Sequence, residues 1–138
     1  MSNVSRGLGA MSPTCFFVDD DHTLYIIDQH NHHVMKWMEG AKEGIILAGG
    51  NCNGNQMKQL SHPAGVVVDQ LGQISVADAR NGRVMRWYKG AKERTIVSDA
   101  QDVGQQANQL VGPNMGLSLD SKGNLYVTDS LSNRIQKF

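Results

Sequence analysis

The sequence predicts an all-β protein built of repeated four-stranded antiparallel sheets, the blades of a β-propeller, with about two and three-quarter blades present. Three observations carry this. The stretch Asp78-Ala79-Arg80-Asn81-Gly82-Arg83-Val84-Met85-Arg86-Trp87 recurs fifty positions earlier as Asp28 to Trp37 and fifty-one positions later as Asp129 to Phe138. Each copy reads as an acidic residue, a turn, a cation, then a short strand ending on an aromatic ring. The three prolines, Pro13, Pro63 and Pro113, share one column of the repeat. Finally, each full repeat holds four short runs rich in β-branched and aromatic residues, separated by turn residues and lacking helical periodicity. Self-similarity at this period with four strands per unit describes a propeller blade.

In chain order, residues 1–12 are small and polar and read as an N-terminal arm or loop. The first blade spans 13–62. Its strands are Phe16-Phe17-Val18, a continuous apolar run expected to be buried on both faces, then Leu24 to Ile27, Val34 to Met38 and Ile45 to Ala48. The second blade, 63–112, repeats them as Val66 to Val68, Ile74 to Ala77, Val84 to Tyr88 and Thr95 to Val97. The third, 113–138, supplies Leu117 to Leu119, Leu125 to Val127 and Arg134 to Phe138, with no fourth strand. In the third strand of each blade, Met35, Trp37, Met85, Trp87 and Phe138 share one side, and Val34, Lys36, Val84, Arg86, Ile135 and Lys137 the other. Trp37, Trp87 and Phe138 are therefore expected to pack blade against blade, Trp87 toward the next one.

Pro63-Ala64-Gly65-Val66-Val67-Val68-Asp69, Gly123-Asn124-Leu125-Tyr126-Val127-Thr128-Asp129, Asn81-Gly82-Arg83-Val84 and Asn108-Gln109-Leu110 together resemble the NHL repeat family of β-propellers. The resemblance runs from Pro13 to the last residue. It implies the propeller fold, and a role among those that such domains serve: protein binding, RNA binding or enzyme catalysis. The enzymes resembling this family, gluconolactonase-like and amidating-lyase propellers, hold a metal with ligands from several blades. No residue-by-residue match to that set is found here.

Charge is balanced, with 13 basic and 13 acidic side chains, which argues against nucleic acid or an anionic membrane as partner. No apolar run is long enough to span a bilayer, and residues 1–11 do not form a secretory signal, so the compartment stays unknown. Two cysteines, Cys15 and Cys52, fall in different columns and make no disulfide framework.

Four of the five histidines lie between positions 22 and 33, and His30, His32 and His33 are the candidates for metal ligands. The repeat supplies a control. His32 shares its column with Gly82 and Asn133, which marks a turn position of positive φ. His33 shares its column with Arg83 and Arg134, where a cation can answer the turn-initiating Asp28, Asp78 or Asp129. The reading is therefore structural: Asp28, Asp78, Asp129, Asn31, Asn81, Arg83 and Arg134 build turns, and no catalytic, cofactor or metal residue is assigned. Asp19, Asp69 and Asp120 recur at the end of each first strand and read as Asx caps of the next turn.

The function expected is that of a non-catalytic scaffold for protein interaction or assembly. The alternative is part of a propeller enzyme, a metal-assisted hydrolase or lyase whose other blades lie elsewhere. No cofactor is expected. Propellers close with about four to eight blades. The partner expected is another protein, or a second copy of the chain, completing the ring.

Overall fold

A computed structural model of the chain describes residues 13–50, 54, 59–88, 94–98, 116–129 and 133–138, with the backbone alone at 94–98. The arm at 1–12, Cys52, Pro113 and Asn108-Gln109-Leu110 lie outside the described residues. Eleven strands form three antiparallel sheets among the described residues. The first is β1 (Pro13–Val18), β2 (Leu24–Asp28), β3 (His33–Trp37) and β4 (Ile45–Gly49), in that spatial order. The second is β5 (Gly65–Val68), β6 (Ile74–Asp78), β7 (Arg83–Trp87) and β8 (Arg94–Ser98). The third holds β9 (Leu117–Leu119), β10 (Leu125–Asp129) and β11 (Arg134–Lys137). A single 3-10 turn, Ala79–Asn81, joins β6 to β7.

The turns explain why the strands meander. Asp19, Asp69 and Asp120 each accept two backbone N–H groups through one carboxylate oxygen, from Asp21 and Thr23, Leu71 and Gln73, and Lys122 and Asn124, all at 2.8–3.0 Å. Each turn then needs a left-handed residue, taken by His22 (φ 59°), Gly72 (φ 78°) and Gly123 (φ 83°). At the other end of the blades His32 (φ 55°), Gly82 (φ 61°) and Asn133 (φ 51°) occupy the same backbone region, so histidine twice stands where glycine or asparagine would relax the turn. The fourth strands of the first two blades share an irregularity: β4 slips against β3 between Val34 and Met35, and β8 against β7 between Val84 and Met85. One extra residue there increases the local twist.

The core lies between the blades. Val66, Val68, Ile74, Val76, Met85 and Trp87 on one face of the second blade pack on Tyr25, Ile27, Val34 and Ala48 of the first. Val67, Ala77 and Val84 on its other face pack on Leu125 and Val127 of the third, with Leu117, Leu119 and Phe138 against them. The first strands β1, β5 and β9 neighbour one another from blade to blade, which puts them innermost.

Two expectations are corrected by this packing. Trp87 does not face the next blade: it shares its face with Ile74 and Val76, and the pleat turns that face back onto the preceding blade. Phe138 likewise packs back, on the second blade. The run Phe16-Phe17-Val18 is not buried on both faces, since Phe16 is 69% and Val18 49% exposed. Its counterpart β5 is buried throughout. The difference is positional, because the second blade has a neighbour on both sides and the described first blade on one. The first strand also starts earlier than its apolar run, at Pro13.

Candidate functional site

The polar chemistry of this chain collects at the two ends of the junction between the first and second blades. At the end formed by the β2–β3 and β6–β7 turns, Asp28 and Asp78 are wholly buried, as is their counterpart Asp129 in the third blade. Asp78 is the most elaborately held. Its Oδ2 accepts from Arg83 Nε at 2.7 Å and Asn81 Nδ2 at 2.9 Å, and its Oδ1 accepts from the Ser61 backbone N–H at 2.7 Å. Arg83 is itself only 2% exposed and also donates to the Gln59 carbonyl, while Asn81 donates to the Gly54 carbonyl. This one turn therefore ties the chain linking the two blades to the second blade. In the first blade, Asp28 accepts from Asn31 Nδ2 at 2.7 Å and lies 3.2 Å from His33 Nε2. In the third, Arg134 Nε donates to Asp129 at 3.3 Å from a more exposed side chain.

The histidines separate here. His33 goes to Asp28. His30 and His32 instead meet His62, which the sequence comparison passed over because it has no histidine sibling in its column. The rings of His32 and His62 stand edge to face with centroids 4.4 Å apart, and His30 is 6.4 Å from His62. The His62 backbone N–H donates to His32 Nδ1 at 3.0 Å. His62 itself has φ 48°, and its Nδ1 is buried with no hydrogen-bond partner. Burial first, then the nearby Arg80 cation, hold both His32 and His62 below the ordinary histidine value. Among the described residues no group of three or more His, Cys, Asp or Glu side chains is arranged to hold a metal ion. His32 Nδ1 already accepts a hydrogen bond, so that nitrogen is not available as a ligand.

The opposite end of the same junction opens into a cleft of about 850 Å³. Asp19, Asp69 and Tyr25 line it, with Trp87, half-exposed Tyr88 and Lys36. Asp19 also accepts the Tyr25 hydroxyl at 3.1 Å, and Tyr126 repeats this with Asp120. Burial chiefly, then that bond and the carboxylates of Asp19 and Asp21, push Tyr25 up to about 12. The cleft carboxylates at Asp19 and Asp69 are thus committed through one oxygen to turn structure, as scaffold residues are.

The remaining unusual surface is the side of the end blades. On the first blade the face carrying Met35 and Trp37 also carries Phe16, Val18 and Ile46, the last 54% exposed. Trp37 Nε1 donates to the Ala41 carbonyl at 2.9 Å, and the ring lies over Gly44, so it packs on its own blade. On the third blade Ile135 is 68% exposed, on the face shared with Tyr126 and Lys137.

Comparison with known proteins agrees with this architecture. The NHL repeat family model matches residues 60–86, from before β5 to the penultimate residue of β7, and 116–138, which hold β9 to β11. Those two stretches carry the NHL repeat pattern, and they lie in sheets with a propeller-like fold. No curated protein matches its sequence. Among solved structures it is similar to a catalytically inactive virginiamycin B lyase of Staphylococcus aureus with quinupristin, at 13% identity and TM-score 0.61 over 94% of this chain and 42% of that one. A streptogramin B lyase matches at 12% identity and TM-score 0.63, over 91% and 40%. A Bacteroides thetaiotaomicron protein given the provisional name of phosphatase matches at 16% and TM-score 0.67, over 93% and 34%. These likenesses concern the fold, and the chain spans about two fifths of the lyases' length.

Proposed function

We propose that the chain is a non-catalytic NHL-type propeller segment that serves as an assembly scaffold. Its end blades bind a protein partner, or a second copy of the chain, that completes the ring. One observation carries this reading. The exposed face of Phe16, Val18 and Ile46 is the structural counterpart of the face with which the second blade packs on the first. A propeller covers such a face with the next blade, and an apolar surface of this kind marks an interface. Light scattering at micromolar concentration, with a fluorescent reporter of apolar surface, tests it. A dimer or larger assembly that leaves the reporter dark is expected, and a folded, dye-silent monomer overturns the reading.

A second reading, a segment of a propeller enzyme using a divalent metal, draws on the likeness to the lyases. A melting temperature that falls on chelation and recovers with added metal would favour it over the scaffold.

A further inference from the structure

We infer that His32 and the His62 backbone form a pH-sensitive latch across the junction of the first two blades, closed while the His32 ring is neutral and released when it is protonated. The chemistry follows from the donor. A backbone N–H can only donate, so the 3.0 Å contact between His62 N and His32 Nδ1 requires a bare Nδ1. A proton on that nitrogen sets donor against donor and the bond is lost.

The bond holds a residue that resists its own conformation. His62 has φ 48° and immediately precedes Pro63, a combination that neither a side-chain-bearing residue nor a pre-proline position favours. Losing the acceptor frees it. The latch also bridges separate parts of the fold. His32 sits in the β2–β3 turn of the first blade, whereas His62 leads into β5. Next to it, Ser61 accepts from the Arg80 backbone N–H at 3.1 Å and donates to Asp78, both in the second blade.

The charges around the cluster favour release once a proton arrives. Arg80 from the β6–β7 turn and His30 from the first blade both oppose a cation on either ring, and His32 opposes a cation on His62. Asp28 and Asp78 pull the other way on His32. Both carboxylates are already engaged, Asp28 with Asn31 and His33, Asp78 with Arg83 and Asn81. His62 adds a buried Nδ1 without a partner, which a charged ring would have to expose. Because the folded chain holds both histidines below their ordinary value of 6.5, the unfolded chain takes up protons first as pH falls. The latch therefore contributes its full stability above 6.5 and loses it as pH drops through the folded values.

Nitrogen-15 NMR and amide exchange on the whole chain, from about pH 8 to about pH 5, test this. At the upper end His32 Nδ1 should resonate as an unprotonated nitrogen and the His62 amide should be protected. That protection, corrected for intrinsic exchange, should then fall by up to about tenfold per pH unit once His32 titrates, while the amides of β6 and β7 stay protected. His32→Asn keeps a side chain that tolerates positive φ and removes the titration, so the pH dependence of the His62 amide should vanish. A wild-type His62 amide equally protected at both ends of the range overturns the latch, as does an Asn variant that keeps the wild-type pH dependence. Should the variant fail to fold, the ring shift decides alone: a proton on His32 Nδ1 at about pH 8 overturns it.

Discussion

Asp78 carries no solvent exposure, yet it sits among an arginine, an asparagine and a backbone N–H that between them satisfy both of its oxygens. Removing it strands the buried Arg83 cation. Asp78→Ala is therefore expected to lose about 3–5 kcal/mol in urea unfolding, whereas a change at exposed Leu71 should stay within about 0.5 kcal/mol. Tyr25 gives a second readout. Its hydroxyl donates to Asp19 and is pushed up to about 12, so the folded chain holds this proton more tightly than the unfolded one. That contribution is whole below 10 and is lost as pH rises toward about 12. An ultraviolet phenolate titration of the native protein should show one tyrosine ionising last, and Tyr25→Phe should remove that phase. Positive φ at His32 was legible from its column-mates Gly82 and Asn133, because turn geometry is local. The meeting of His32 with His62 was not, since it joins residues thirty positions apart in unlike columns.

The turns and strands repeat more faithfully than the side chains that pack on them. Asp69 accepts two backbone N–H groups in the β5–β6 turn, and Asp69→Ala should cost about 1–2 kcal/mol by thermal or urea melting without altering the strands. Its counterpart Asp120 is held down to about 2, first by the Asn124 side chain and then by backbone donors. A depressed carboxylate contributes above its ordinary value of 3.8 and loses that contribution as pH falls toward 2, so the third blade's turn should persist to about that pH. Chemical-shift titration of the Asp120 carboxyl checks this. Gly44 shows the opposite case, a packing need without a repeat. A Cβ there would come within 2.6 Å of the Trp37 ring, while the second blade has Arg94 in the column. Gly44→Ala is expected to lose about 1–3 kcal/mol through the displaced tryptophan.

Three sheets in sequence, with their first strands adjacent, place this chain on the arc of a ring. Each junction uses the same pairing of faces: the side bearing Met85 and Trp87, or Phe138, lies back on the blade before it. The uncovered side of the first blade is then the surface expected to receive a blade, and the Ile135 side of the third the surface expected to offer one. Phe16→Glu and Ile135→Glu place charge on these faces where exposure is already 69% and 68%, so each should leave the melting temperature of the isolated blades nearly unchanged. Sedimentation or light scattering should show either variant shifted toward monomer. An unshifted assembly would count against ring closure through these faces.

Period, strand order and turn chemistry could all be read from the chain alone, because each depends on residues within a few positions of one another. Pleat alternation, Asx capping and the demand for positive φ are short-range constraints, and three imperfect copies average out the noise in any one. Packing direction needed the folded molecule. Alternation divides Met85 and Trp87 from Val84 and Arg86 but does not say which neighbour each face meets. The hand of the sheet and the order of blades settle that, and they turn Trp87 backward. Burial of the first strand was equally out of reach, since Phe16 and Val66 look alike in sequence and differ only in having one blade beside them or two. The histidine junction belongs with these: proximity across a blade boundary is a property of the arc.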